Sequence, residues 1–281
     1  MSDVNLNAYF ERVGFAGSIA PNLTTLEALH SLHPAAIPFE NLDPLLGRPV
    51  LLDRKSLEQK LLADGRGGYC LEHNFMFMRV LRELDYSVRG LAARVLWNRP
   101  EDEAERPATH MVLAVDIGGS TYLADVGFGG ITLTAPLRLR ADVEQATPHE
   151  TFRLVNAGAG MRLEVKLGEE DWRPVYAFDP EPESEPDYAA INAYVETTPQ
   201  FRETLMAARA EKERRLALHD TRYTVYPAEG ERESRVLTSI EELAAILSGP
   251  FGISLPPAAE IEPVLQRILD KSQPEAATGG A

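Results

Sequence analysis

Cys70 is the one cysteine in 281 residues, and it follows directly on Arg66-Gly67-Gly68-Tyr69. Two adjacent glycines let the backbone turn sharply before it, and the apolar run over residues 75–81 predicts a helix that begins near the sulfur. A thiol in the first turn of a helix lies beside unpaired N–H groups and the positive end of the helix dipole, which favours thiolate by about 0.3–1 kcal/mol. That is a placement for a nucleophile. The competing reading is a packing cysteine, since free Cys is among the most buried residue types and the helix behind it is apolar on two faces. The choice depends on whether the chain brings the sulfur a base and a group that orients the base.

Residues 110–127 supply both. If Gly118-Gly119 forms a two-residue turn, Ile117 opposes Ser120 and Val112 opposes Asp125. His110 and Asp125 then share a face as a diagonal pair, about 7–8 Å apart at the backbone and within side-chain reach. Alternation sends Met111, Leu113, Val115 and Ile117 to the other face, read here as barrel core, so His110 and Asp125 are expected to face a helical domain carrying Cys70. Histidine can hold the thiol proton, and a buried aspartate fixes its tautomer and stabilises imidazolium. The other histidines lack metal-ligand spacing and there is no second cysteine, so no metal site is expected.

Three kinds of segment must position these groups. Residues 1–85 read as helical: a helix over 4–13 stopped by Gly14, one opened by a Thr24-x-x-Glu27 capping box, one preceded by Asp53 and Ser56, and the Cys70 helix. The loop over 37–47 is unusually apolar, so Phe39 should be packed or line something. From about Val88 short runs at 91–97, 110–117, 121–126, 151–155, 162–167 and 172–178 predict a meander or small barrel. The Pro/Glu-rich stretch 178–187 marks a boundary. A helical segment is expected over 188–218, then two short strands, a helix capped by Ser239 and Glu242, a last helix over 261–270, and disorder from Gln273.

The formal charge of −15 argues against nucleic acid, which needs a basic face, and against anionic membranes. One cysteine excludes an internal disulfide framework and fits a reducing compartment. The opening residues resemble no signal peptide and no apolar run reaches the ~20 residues of a membrane span, so the expected location is cytoplasmic, with no membrane partner.

The combination of Ile37-Pro-Phe-Glu-Asn-Leu42, Arg66-Gly-Gly-Tyr-Cys70 with Glu72 and Asn74, Thr109-His110, and Asp125-Val-Gly-Phe-Gly-Gly130 resembles the arylamine N-acetyltransferases, bacterial ones especially. The resemblance implies an α+β fold with a cysteine-protease-like triad arrangement: a helical bundle over 1–85, an antiparallel β-barrel over 86–187, an inter-domain helical segment over 188–218 and an α/β lid over 219–281. It implies a Cys70-His110-Asp125 triad, acetyl-CoA as co-substrate without a metal, and an aromatic amine or hydrazine as acceptor. Thr109, Gly127, Phe128 and Gly129 match positions around the cofactor, and Phe39, Trp97 and Phe128 match positions lining the acceptor pocket. Gly-rich N–H groups can receive anionic oxygens, and Arg66 and Arg94 are candidates for a basic patch. The reading is double-displacement acyl transfer. An amide synthase, a cysteine hydrolase and a non-catalytic binding module are the alternatives, and monomer and homodimer are both compatible with the sequence.

Overall fold

The computed structural model describes residues 4–99, 107–167, 169 and 171–272; the expected disordered tail from Gln273 lies outside them. The first helix, Leu6–Val13, opens where the Asn5 side chain accepts the Ala8 N–H and closes at Gly14 in the left-handed region, φ 71°. The second, Leu23–Ala36, is capped by Asn22, which accepts the Thr25 N–H at 3.0 Å, rather than by the expected Thr24 and Glu27 box. Asn22 wins because a short side-chain amide reaches the third N–H of the helix without strain. Asp53 caps the short helix Arg54–Leu57, which widens into a π-helical turn, Glu58–Ala63. The Cys70–Glu83 helix is buried along most of its length, as its two apolar faces require.

The apolar 37–47 loop is more ordered than its composition suggests. It contains strand β1 (Phe39–Glu40) and the short helix Leu42–Leu45.

The barrel begins with β2 (Ser87–Val95), β3 (His110–Ile117) and β4 (Ser120–Ala124). Two short strands follow, β5 (Leu137–Arg138) and β6 (Glu144–Ala146), and then β7 (Thr151–Ala157), β8 (Gly160–Lys166) and β9 (Trp172–Phe178). Their order, β5-β4-β3-β2-β9-β8-β7-β6, leaves β5 and β6 as edges. The Gln145 side chain stitches those edges, accepting the Arg138 N–H at 2.7 Å and donating to its carbonyl at 3.0 Å. This nearly closes the barrel and removes the hazard of an open edge. The Gly118-Gly119 hairpin has Ile117 opposite Ser120 and both glycines at positive φ, 56° and 77°, as a tight turn between twisted strands demands.

The segment over 188–218 differs from expectation. Helices Tyr188–Val195 and Pro199–Glu203 are present, but β10 (Met206–Ala210) and β11 (Arg214–His219) replace helix beyond them. Ala, Glu, Arg and Leu favour helix locally. Tertiary pairing overrides that preference: β10 lies between β1 and β11, and with β12 (Arg222–Pro227) and β13 (Glu233–Val236) they form a five-stranded sheet. The helices Ile240–Ser248, capped by Ser239, and Ala258–Ser272 pack with this sheet around a separate apolar core.

Because β1 belongs to the helical lobe by sequence and to the lid sheet by pairing, the two lobes share a strand. Asn41 reinforces the joint, donating to the Phe201 and Thr204 carbonyls at 2.9 and 2.7 Å and accepting the Met206 N–H at 2.8 Å.

Candidate active site

Cys70 is the first residue of its helix and is 5 % exposed. The loop that delivers it runs hard against the Pro38–Glu40 segment. Gly68 donates to the Pro38 carbonyl at 3.3 Å and accepts the Glu40 N–H at 2.8 Å. A Cβ on Gly67 would stand 2.0 Å from the Pro38 oxygen, so this backbone approach is open only to glycine.

The Cys70 sulfur donates to the carbonyl of Thr109, the residue next to His110, at 3.7 Å, and it lies near enough to the imidazole to help raise its pKa. His110 meets Asp125 Oδ2 through Nε2 at 2.8 Å, which leaves Nδ1 for the sulfur. Burial alone would pull the imidazole pKa down. The charge and hydrogen bond of Asp125, reinforced by Cys70, outweigh burial and push it up to about 10.

Asp125 is fully enclosed and bonded at every polar atom. Oδ1 accepts from Asn74 Nδ2 and from the Gly127 N–H, both at 3.0 Å. Its own N–H donates to His30 Nε2 at 3.1 Å, and its carbonyl accepts from Thr132 Oγ1 at 3.1 Å. Burial would raise its pKa, but the His110 charge and these donors hold it below the usual carboxylate range. Asn74 ties the two lobes, since it also donates to the Met111 carbonyl at 2.8 Å and accepts the Val126 N–H at 3.2 Å. It appeared in the sequence only as part of a motif; its position one turn after Cys70 was the available signal. Tyr176 carried none. Its ring lies 5.3 Å from the His110 ring, and its hydroxyl is buried near Asp125 without reaching hydrogen-bond geometry.

The two faces of β3 are reversed relative to expectation. Met111, Leu113 and Val115 pack into the helical lobe's core, while Val112 and Ala114 line the barrel interior. His110 shares the barrel-side face, yet it stands at the first position of β3. There the strand end opens toward the start of the Cys70 helix, so the sulfur meets the imidazole at the rim and not across a face.

Of the residues that the family resemblance places at the cofactor, Thr109 offers its carbonyl to Cys70, and Gly127 and Phe128 have their N–H groups committed within the chain. Gly127 donates to Asp125 and Phe128 to Thr132 Oγ1 at 3.2 Å. This corrects the expectation that these two N–H groups receive anionic oxygens. A Cβ on Gly127 would stand 2.9 Å from the Cys70 carbonyl, so this glycine permits close packing of the two lobes. Gly129, at φ 88°, turns toward the Phe39 ring, which stacks at 6.5 Å on His73. Phe128 sets its ring edge-on to His110 at 5.1 Å. Trp97, like Phe128, is partly buried and packs against the barrel core. Arg66 is no open basic patch, being paired with Glu40 at 2.7 Å and Asp43 at 3.2 Å.

Among the described residues, no group of three or more His, Cys, Asp or Glu is arranged to hold a metal, and no helix is long and apolar enough to cross a membrane. The arrangement as a whole is a thiol, an imidazole and a buried carboxylate at the head of a helix, walled by aromatic rings. It can form and break a thioester.

A family model described as N-acetyltransferase matches residues 22–261. The chain is 41 % identical to the arylamine N-acetyltransferase of Escherichia coli K12, over 89 % of each chain. It is similar to the solved arylamine N-acetyltransferase of Mycobacterium tuberculosis, with TM-score 0.87 and 39 % identity, covering 94 % of this chain and 99 % of that one. The Mycobacterium marinum enzyme solved in complex with CoA matches with TM-score 0.86 and 36 % identity, over 95 % and 99 % of the chains.

Proposed function

The chain belongs to the arylamine N-acetyltransferase family, and on that premise we propose that Cys70, His110 and Asp125 carry an acetyl group from acetyl-CoA to an aromatic amine or hydrazine. The observation that carries this reading is the His110 ring, bonded through Nε2 to a sealed Asp125 at 2.8 Å and next in sequence to the Thr109 carbonyl that the Cys70 sulfur meets.

Cys70 attacks the thioester carbonyl as the thiolate. The carbonyl carbon bonds to sulfur, first-turn N–H groups of the Cys70 helix receive the oxyanion, and CoA leaves as its thiol after taking a proton from His110. The amine nitrogen then attacks the acetyl-cysteine. His110 accepts the amine proton, and sulfur departs to regenerate the ion pair. Asp125 holds the ring throughout and stabilises the imidazolium. An arylamine is neutral near pH 7, so its lone pair is available. Phe39 and Phe128 offer it flat apolar walls, with Trp97 at the barrel end of that surface. Gly127, Phe128 and Gly129 form the turn against which the acyl-CoA end rests, Gly129 contributing its N–H, with Thr109 beside the Cys70 sulfur. A single reduced cysteine suits the cytoplasm.

Intact-protein mass spectrometry tests the nucleophile and the donor together. With acetyl-CoA alone the protein gains one acetyl group, lost again when an arylamine is added. Absence of the gain, or an equal gain in Cys70→Ala, overturns the reading.

A further inference from the structure

Behind the nucleophile's helix lies a group of charges that the acyl-transfer steps do not use. Glu72, the third residue of that helix, is 2 % exposed. Its Oε2 accepts the Tyr69 N–H at 2.9 Å, closing the helix start, and its Oε1 accepts from Lys60 Nζ at 2.7 Å. Gly68 makes room for this carboxylate, since a Cβ there would fall 2.7 Å from Oε2. Lys60 comes from the π-helical turn, which places Nζ between Glu72 and Asp43, the latter at 2.5 Å. Arg66 closes the network by pairing with Asp43 and Glu40, and Glu40 accepts the Leu42 N–H at 2.6 Å.

A carboxylate at this position serves the helix and opposes the nucleophile. Negative charge in the first turn complements the dipole, but the same charge two residues from Cys70 disfavours a thiolate. Lys60, Arg66 and, at the edge, Arg48, which lies 4.0 Å from Asp43 and also pairs with Glu260, face Glu72, Asp43, Glu40 and Glu260, so no positive charge is in excess. We propose that Lys60 is a positioning residue for the acyl-transfer reaction: by neutralising Glu72 it lets that carboxylate close the helix start without repelling the Cys70 thiolate.

The inference rests on the triad reading above. The charged and titratable groups around Cys70 are His110 with Asp125 on the barrel side, Tyr69 and His73 beside it in sequence, Glu196 near Tyr69, and Glu72 with Lys60, Asp43, Arg66 and Glu40 behind it. Burial pushes the Glu72 carboxyl up and Lys60 pulls it only part of the way back, leaving it above the usual carboxylate range, so its charge depends on that partner. The pair borders an open cavity of about 440 Å³, so water can reach Glu72 when the Lys60 ammonium is removed.

The test is the pH profile of Cys70 alkylation by iodoacetamide in the full chain. Lys60→Met should move its midpoint up by about half a pH unit or more, and the isosteric Glu72→Gln, which keeps an acceptor for the Tyr69 N–H, should move it down. The double variant should return toward wild type. Loose packing alone would shift both single variants the same way. Shifts of the same sign, or no shift in either, overturn the proposal. If Lys60→Met does not fold, the downward shift in Glu72→Gln supports the proposal and its absence overturns it. A His110→Gln control separates the two readings. A profile unchanged by losing His110 sinks the triad and this proposal with it, whereas a His110-dependent profile indifferent to Lys60 and Glu72 sinks this proposal alone.

Discussion

Two buried histidine sites lie on either side of Asp125 and behave oppositely. At the barrel rim, His110 faces the Asp125 carboxylate and is pushed up to about 10. In the helical lobe, His30 faces only the Asp125 N–H and is held down at about 4, with burial dominating over the Asp125 charge. Further along, Tyr9 donates to His33 Nδ1, His33 Nε2 to His73 Nδ1, and His73 Nε2 to the Pro38 carbonyl. That chain satisfies each ring as a neutral donor and acceptor, and His73 too is lowered by burial to about 4. Equal burial thus gives an acid–base group where the ring hydrogen-bonds a carboxylate and a structural brace where its hydrogen-bond partners are neutral, charges farther off not overcoming burial.

Breaking the first side should have the largest effect. Asp125→Asn keeps the shape and removes the charge, so acetylation of Cys70 should fall by about 10²–10⁴-fold, and the alkylation profile should lose its acidic limb. Single-turnover acetylation measures it; near wild-type rates would mean that His110 is charged by something other than Asp125.

A smaller effect separates the two sites thermodynamically. His30 and His73 have folded pKa values below the unfolded 6.5, so between pH 6.5 and 4 the unfolded chain binds more protons and stability falls as pH falls, on the order of a few kcal/mol in all. His110 has the opposite sign: its contribution is complete below pH 6.5 and is lost as pH rises toward 10. Urea unfolding across pH 4–10 should therefore give a dome. His30→Leu should flatten only the acid side, and a variant that also flattened the alkaline side would contradict this assignment.

The smallest effect probes the brace alone. Tyr9→Phe removes one hydroxyl from His33 and should cost about 1 kcal/mol of stability while leaving the alkylation profile of Cys70 unchanged. A shifted profile would tie the histidine chain to the chemistry.

What was readable depended on whether the signal was local. Gly118-Gly119 set the hairpin register because two positive-φ residues admit few turns, and the register brought His110 and Asp125 together. The same alternation did not say which face met which lobe. Both faces of β3 are apolar, and only the packing of the Cys70 helix against Met111 and Leu113 decided it. Residues 206–218 carry helix-forming composition, so their strand pairing with Phe39–Glu40 was invisible without the distant partner. Arg66 looked available until Glu40 and Asp43 were placed beside it.

The sequence by itself determined the chemical types: one thiol placed by glycines at a helix start, and a histidine and an aspartate in fixed register across a tight turn. Those are short-range consequences of backbone freedom and strand geometry. Tertiary structure alone decided that Asp125 pushes the imidazole pKa up, that Gly127 permits close packing of the lobes and has its N–H taken by Asp125, and that Glu72 is paired with Lys60. Each of these depends on burial and on charges contributed by residues far apart in the chain, and a pKa or a close contact exists only once those residues share the same few ångströms.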